Sequence, residues 1–424
     1  MDKLSLLLVS IAQMGWVFAT APICVPFDSE MTASNDSPAL PMGCADFTVE
    51  APRERSGGVI RATDFGLSTA NTNNAFAINR AVDEARRTGA RRVELAPGTY
   101  RCFGETVLIE GLTDFVFDGQ GAELVFYRPA KITDGVAASE CLRDANFLIR
   151  NCERTRVGNF KMDWDWDHHP LATLVRVADV HVGVQADDSS YLDLELLGYS
   201  AEKPHPEYGS PIPVMGINPM DLQMNFVPGE RSWIGNYEGH YGPRSMWLGP
   251  NRLRLWPKVK DPTQHCHPLY APMFNPKQNL AETRRLGKIG ATYRLIHGYA
   301  GKGGINMDSN RHLTLSDVTI WSCYGMALII HGTQQYWRVE NVSIEPKDAT
   351  RPISSTADGM HVANSLGFAQ YVNFKVKRNH DDAFNFHDCF TLGKKDGARR
   401  VSITHPRKAD YARIRKGDDV ELVE

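Results

Sequence analysis

Three aspartates in the C-terminal quarter of the sequence have the residue type and spacing that acid–base chemistry requires. Asp358 stands alone, and Asp381 and Asp382 follow as an adjacent pair, with a step of 24 residues from Asp358 to Asp382. Crowded carboxylates cannot all ionise freely, so we expect one of them to keep a proton near neutral pH. Glycoside hydrolysis needs such a pair, because one carboxyl group protonates the leaving oxygen while the other activates water or attacks the sugar. We therefore assign Asp358, Asp381 and Asp382 as candidate catalytic residues.

The same acids are open to other interpretations. Asp and Asn are common at the turns of repetitive β-structures, where they bond to backbone groups. Clustered carboxylates also bind calcium, which would suit a lyase with a Lys or Arg base nearby. Lys375, Lys377 and Arg378 alternate along a predicted strand just before the acid pair, and a solvated face is the simpler account of them.

Two histidines accompany the acids. His361 follows Asp358 by three residues, and His387 follows Asp382 by five. Their positions at the edges of the acid group make both histidines candidate substrate-binding residues.

Two earlier segments supply further candidates for sugar binding. In NFKMDWDWDHHP, a strand would place Asp163 on one face and Trp164 on the other. An indole beside carboxylates suits a sugar, whose C–H face packs on the ring while its hydroxyls bond the acids. A solvated loop beside a buried tryptophan explains that segment equally well. In RLIHGY, His297 and Tyr299 would alternate outward and are also candidates.

A repeat of about 24 residues must position these side chains. Two sets of segments define it: Asp317–Ile320, Asn341–Ile344 and Asn373–Val376 in one register, and Tyr324–Gly325, Asp358–Gly359 and Asp382–Ala383 in the other. The steps are 24 and 32 residues in the first register and 34 and 24 in the second, which indicates an insertion of about ten residues between Glu345 and Asp358. Short strands at this period, with no helix pattern between them, predict an all-β, right-handed parallel β-helix of the pectin-lyase-like type. Equivalent residues then stack at about 4.8 Å, so Tyr324, Asp358 and Asp382 are expected in one column.

The sequence pattern outside the repeat predicts the domain organisation. A helix at 74–88, with Asn74 as its N-cap and an apolar face that includes Phe76, would cap the first coils. Longer strands separated by Pro and Gly predict an inserted, barrel-like β domain. The predicted regions are a signal peptide at 1–21, a linker at 22–56, coils at 57–177, the insert at 178–290, coils with the catalytic site at 291–392, and the truncated start of a second β-rich insert at 393–424.

Bulk composition excludes several classes of function. The 424 residues carry a net charge of −3, so nothing favours a nucleic-acid partner. Eight cysteines without a CxxC motif argue against a zinc site. The apolar N-terminal run is too short and too interrupted for a membrane span and is typical of a signal peptide, which predicts a secreted or periplasmic protein. No cofactor is expected, and the oligomeric state stays open.

The acid-bearing stretch resembles a known enzyme family. RPISSTADGMHV followed by HDDAFNFHD, with YRLIHGY and DVTIWSCYGMAL before them, is similar to glycoside hydrolase family 110. The resemblance implies an exo-acting α-1,3-galactosidase that inverts configuration, needs no metal and has a parallel β-helix interrupted by barrel domains. It implies Asp358, Asp381 and Asp382 as the carboxylates and a terminal α-galactoside as the partner. The ending FNFHD departs from the more usual Asn-Val-His-Gly, which leaves the surroundings of His387 less defined.

Three alternatives remain at this point. A polygalacturonase-like hydrolase would need basic residues that hold a uronate. A non-catalytic carbohydrate-binding β-helix would bury the acids in backbone hydrogen bonds, without a cleft. A lyase would need the calcium site and the basic residue described above.

Overall fold

A computed structural model describes residues 46–127, 145–210, 212–233, 243–260, 275–298, 303–363 and 365–387, together with the backbone of 392–395 and 401–404. The strands are β1 (Val59–Arg61), β2 (Arg92–Glu94), β3 (Thr99–Phe103), β4 (Val107–Glu110), β5 (Thr113–Tyr127), β6 (Ala145–Arg150), β7 (Glu153–Trp164), β8 (Ala172–His181), β9 (Tyr191–Leu196), β10 (Gly216–Pro219), β11 (Ser232–Trp233), β12 (Pro243–Gly249), β13 (Arg252–Lys260), β14 (Thr292–Ile296), β15 (Gly303–Asp308), β16 (Arg311–Ile320), β17 (Leu328–His331), β18 (Gln335–Ile344), β19 (Met360–Ala363), β20 (Ala369–Val376), β21 (Phe384–His387), β22 (Leu392–Lys395) and β23 (Val401–Thr404). The helices are a 3-10 turn at Ala62–Phe65, α1 (Ala75–Thr88) and α2 (Pro276–Leu286).

Two parallel sheets form the coiled part of the molecule. One has the order β1-β2-β5-β7-β16-β18-β20, with β3 also on β5, and the other has the order β4-β6-β15-β17-β19-β21. From β15 to β21 the chain alternates between the two sheets, so each pair of strands is one coil of a parallel β-helix. Val318 pairs with Val342 and Val342 with Phe374, which confirms the steps of 24 and 32 residues in the first register. The right-handed sense of the coil stays a prediction.

A column of residues in the left-handed backbone conformation marks the same place on four successive strands of the first sheet, β7, β16, β18 and β20. Asn159, Asp317, Asn341 and Asn373 have φ of 58°, 56°, 53° and 50°. Asn and Asp tolerate this conformation better than other residues that carry a side chain. Asn341 Nδ2 donates to Asp317 Oδ1 at 3.1 Å, and Asn373 Nδ2 donates to Asn341 Oδ1 at 3.0 Å. The side chains of Asp317, Asn341 and Asn373 therefore form a hydrogen-bonded ladder, here called the Asn ladder, that holds neighbouring coils in register.

Helix α1 shields the N-terminal end of this core. It packs against β1, β2 and β4, the first strands of the two sheets, and buries Ile78, Ala81, Val82 and Ala85. Two details of the predicted helix are wrong. Phe76 is exposed, because it lies on the solvent side of the helix. The Asn74 side chain makes no cap bond and instead accepts from the backbone N–H of Ser68 at 2.9 Å.

The insert contains an antiparallel sheet with the order β11-β10-β14-β8-β9-β13-β12. Its strands run from Ala172 to Ile296, so β8 crosses the predicted boundary at 178 and β14 lies beyond the predicted boundary at 290. Helix α2 packs on β9 and β13. Among the described strands β11 and β12 stand at the two ends of the order and do not pair with each other, so the described part of this sheet is open rather than a closed barrel. No helix among the described residues is long and apolar enough to cross a membrane.

Candidate active site

The three candidate catalytic aspartates converge in the structure. Asp358 precedes β19 and Asp382 precedes β21, and the Gly359 N–H donates to Asp382 O at 2.8 Å between these neighbouring coils. One oxygen from each of the Asp358, Asp381 and Asp382 carboxyl groups lies within 4.8 Å of the others. Asp358 is buried at 3% exposure, whereas Asp381 and Asp382 are exposed. The site therefore combines one fixed carboxyl group with two that face solvent.

Tyr324 does not belong to this column, so the predicted step of 34 residues is wrong. Leu328 pairs with Met360, a step of 32 residues, which aligns Met326 with Asp358. The chain between Ile344 and Met360 is eight residues longer than in the regular coil, not ten. Tyr324 instead packs on Trp164, with ring centroids 5.8 Å apart.

Asp358 is held by three hydrogen bonds. His361 Nδ1 lies 2.7 Å from Asp358 Oδ2, Asn385 Nδ2 donates to the same oxygen at 3.4 Å, and the Asp382 N–H donates to Oδ1 at 3.3 Å. The Asp382 backbone thus fixes the distance between the two coils at the acids. Asn385 was not among the predicted site residues, although the 24-residue step aligns it with His361.

The two candidate histidines join the acids into one network. His361 Nε2 and His387 Nε2 are 3.0 Å apart. A hydrogen bond between two ring nitrogens needs one donor and one acceptor, so one proton lies between them. The chain from Asp358 through His361 to the exposed His387 can therefore pass a proton between the buried carboxyl group and the surface.

Asp163 and Trp164 lie in a different network. Asp163 is buried and accepts from Arg351 Nη1 at 2.6 Å and from Ser322 Oγ at 2.6 Å. Trp164 is 5% exposed, and its Nε1 donates to His169 O at 3.0 Å. Both polar groups are already occupied, so these contacts support a structural role rather than the predicted contact with sugar.

His297 also belongs to a buried network, between the insert and its neighbouring loops. His297 Nδ1 donates to Pro213 O at 3.0 Å, which leaves its Nε2 to accept the Thr173 hydroxyl at 2.8 Å. His205 Nε2 lies 3.1 Å from the same hydroxyl and donates to it, because its Nδ1 already accepts from the Glu207 N–H. Burial lowers the pKa of His205 to about 3 and that of His297 to about 4. His297 is therefore a neutral structural histidine, and Tyr299, its predicted companion, lies outside the described residues.

The basic residues before the acid pair have partners of their own. Lys375 Nζ lies 2.7 Å and Lys377 Nζ 3.7 Å from Glu345 Oε2. Arg378 donates to Arg351 O at 3.1 Å and to Gln223 O at 3.4 Å. These contacts leave little support for a lyase base or for a uronate-binding group among the three residues.

The comparisons with known proteins were weak. No family model and no curated protein matches the chain. A proposed glycosyl hydrolase from Parabacteroides merdae is 11% identical, with a TM-score of 0.27 over 75% of this chain and 95% of that chain. A mannuronan C-5 epimerase A-module from Azotobacter vinelandii is 10% identical (TM-score 0.27, 77% of this chain, 58% of that chain), and the Agl-KA catalytic domain is 8% identical (TM-score 0.30, 80% and 46%). At these TM-scores the likenesses carry no argument, and the fold assignment rests on the strand pairing described above.

Proposed function

We propose that this protein is a glycoside hydrolase that removes terminal α-1,3-linked galactose from glycans, with Asp358, Asp381 and Asp382 as its catalytic carboxyl groups. The observation that carries the proposal is the approach of three carboxyl oxygens to within 4.8 Å of one another, with two of the groups exposed. The sugar specificity is supported by the sequence resemblance alone. The predicted export signal makes a secreted or periplasmic location part of the same proposal.

The contacts support a division of roles. Asp358 accepts hydrogen bonds from the Asp382 N–H and from Asn385 Nδ2 and lies 2.7 Å from His361 Nδ1, which suits a carboxylate that must stay fixed while it activates a water molecule. Asp381 and Asp382 are exposed and open to the leaving oxygen, so one of them is proposed as the general acid.

Geometry and resemblance differ on the stereochemistry. A pair that inverts configuration is usually separated by about 6.5–9.5 Å, and a pair that retains it by about 5–5.5 Å. The closest oxygens of this trio lie 4.8 Å or less apart, which is below both ranges and nearer the smaller one. Inversion is proposed from the resemblance to glycoside hydrolase family 110. The anomer of galactose that is released first distinguishes inversion from retention.

The exposure of two acids also separates this proposal from a non-catalytic binding protein. A carbohydrate-binding β-helix would bury its acids in backbone hydrogen bonds. Here the Asp382 N–H donates to Asp358 Oδ1, but the Asp381 and Asp382 side chains are exposed rather than buried.

The test is an assay on a panel of substrates. An α-1,3-linked galactoside, an α-1,4-linked galactoside and polygalacturonate are incubated with the protein, with and without a chelator, and proton NMR follows the first-formed anomer. Release of β-galactose from the α-1,3 substrate in the presence of chelator supports the proposal. Cleavage of polygalacturonate alone, or unsaturated products that vanish with chelator, would replace it with the polygalacturonase-like or the lyase alternative. Binding of sugar without turnover would make the protein a carbohydrate-binding module.

A further inference from the structure

Arg294 is a buried cation that lies beneath both acid-bearing segments. It belongs to β14 of the insert and has no exposed surface. No carboxylate of the described residues lies within ion-pair distance of its guanidinium. A buried charge without a counter-ion costs several kcal/mol, so an arrangement of this kind needs strong compensating hydrogen bonds.

Those hydrogen bonds go to the backbone on either side of the candidate site. Arg294 Nη1 donates to Pro352 O at 3.3 Å, in the segment that leads to Asp358. The same nitrogen donates to Arg378 O at 3.2 Å and Asn379 O at 3.3 Å, just before Asp381 and Asp382. One nitrogen atom thus contacts both segments that carry the acids.

Nη2 of Arg294 and the planar face of the guanidinium also have contacts that hold them in place. Nη2 lies 3.4 Å from His380 Nδ1, and 3.2 Å from the Asn218 amide oxygen when that amide is oriented to bond Ile217 O. The guanidinium carbon lies 4.6 Å from the ring centroid of Phe226. Burial lowers the pKa of Arg294 to about 9, so the group remains charged at neutral pH. An ammonium lacks the planar fork that reaches several carbonyl oxygens at once.

The two segments above Arg294 are bonded directly to each other. The Ser354 N–H donates to Arg378 O at 3.1 Å, the His380 N–H donates to Ser355 O at 3.0 Å, and the Asp381 N–H lies 3.4 Å from Ala357 O. A shift of either segment would therefore change the distance between Asp358 and the acid pair.

We propose that Arg294 is a positioning residue that fixes the spacing of Asp358 from Asp381 and Asp382, which makes the antiparallel insert part of the catalytic apparatus. This inference rests on the proposed function only for its effect on turnover. The spacing itself can be measured without activity.

The test compares Arg294→Met and Arg294→Lys with Arg254→Met in the full-length protein. Arg254 is a matched control in the same sheet, because its guanidinium pairs with Asp193 at 2.7 Å rather than with the backbone of the acid segments. Hydrogen exchange is followed by mass spectrometry in peptides that cover 350–359 and 378–384, and kcat and KM are measured separately. A displacement of about 1 Å in an active site costs on the order of 100-fold in rate.

We expect Arg294→Met to speed exchange about tenfold in both peptides together and to lower kcat about 100-fold with KM within about threefold of wild type. Arg294→Lys keeps the charge, so its exchange rates and kcat should fall between those of wild type and Arg294→Met. It serves as the test if the Met variant does not fold. Arg254→Met should lower the melting temperature without either effect.

Unchanged exchange in both peptides of a folded Arg294 variant would overturn the proposal, as would a kcat within threefold of wild type. Faster exchange only in β8, β10 and β14 would also overturn it, since that result describes a purely structural arginine. If the wild-type protein proves inactive on every sugar tested, the proposed function fails, but the exchange result still decides whether Arg294 sets the spacing.

Discussion

His361 Nε2 and His387 Nε2 lie 3.0 Å apart, and His361 Nδ1 lies 2.7 Å from Asp358 Oδ2. Because these two contacts are in series, the exposed His387 is connected to the buried Asp358 through His361. This relation joins two neighbouring coils through side chains as well as through the strand ladder.

The two histidines should differ in their effect on turnover. His361→Ala removes the direct bond to Asp358, and we expect kcat to fall about 100-fold, at the lower end of what a proton-transfer group contributes. His387→Ala leaves that bond in place and should cost about tenfold. Steady-state kinetics at saturating substrate give both values.

His331→Ala is the control for this pair, since His331 lies in β17, the strand before β19, on the same face of the sheet, and its Nδ1 is 3.7 Å from Asp308 Oδ1. The kcat of His331→Ala should stay within about threefold of the wild-type value. Equal losses in all three variants would mean that the histidines only support the sheet.

The buried histidines of the insert predict a loss of stability in acid. The folded pKa values of His205 and His297, about 3 and about 4, lie below the ordinary value of 6.5. Between pH 6.5 and 4 the unfolded chain therefore binds more protons than the folded chain, so the free energy of unfolding falls as the pH falls. Each proton contributes a slope of about 1.4 kcal/mol per pH unit.

Urea unfolding at pH 7, 6 and 5 measures that slope. His297→Gln cannot titrate in this range and should reduce the slope by about one proton relative to wild type. The interpretation of His297 as a neutral buried group fails if the variant and the wild type lose stability in parallel.

The Asn ladder predicts different costs for two substitutions at one position. Asn341 has φ of 53° and bonds to Asp317 and Asn373. Asn341→Ala loses the bonds and strains the backbone, and we expect a cost of about 1–2 kcal/mol in the free energy of unfolding. Asn341→Gly loses the bonds without the strain and should cost less. Equilibrium unfolding in urea measures both, and an equal cost would show that the left-handed conformation is not what selects Asn.

The repeat and the acid trio could be predicted because both depend on local, periodic residues. Asp317, Asn341 and Asn373 recur where the chain turns, and the 24-residue step alone aligns Asp358 with Asp382. Tyr324 was aligned with Asp358 for a physical reason. The longer loop between Ile344 and Met360 has no periodic pattern that fixes the register, and both Tyr324 and Asp358 are followed by glycine.

The insert and the buried networks could not be predicted in this way. Alternation placed His297 outward, but a second layer of polar side chains covers that face, with Thr173 as its partner. The partners of Asp163 lie 159 and 188 residues away along the chain and those of Arg294 lie 58–86 residues away, where no repeat relates them. Contacts of this range become visible only in three dimensions.

The most direct test of the central claim is the kcat of Asp358→Asn, Asp381→Asn and Asp382→Asn on an α-1,3-linked galactoside, beside Asp317→Asn as a control acid of the ladder. We predict that Asp358→Asn and at least one of the other two lose about 10²–10⁴-fold, while Asp317→Asn stays within about threefold of wild type. Wild-type turnover in all three variants would contradict the assignment of this trio as the catalytic site.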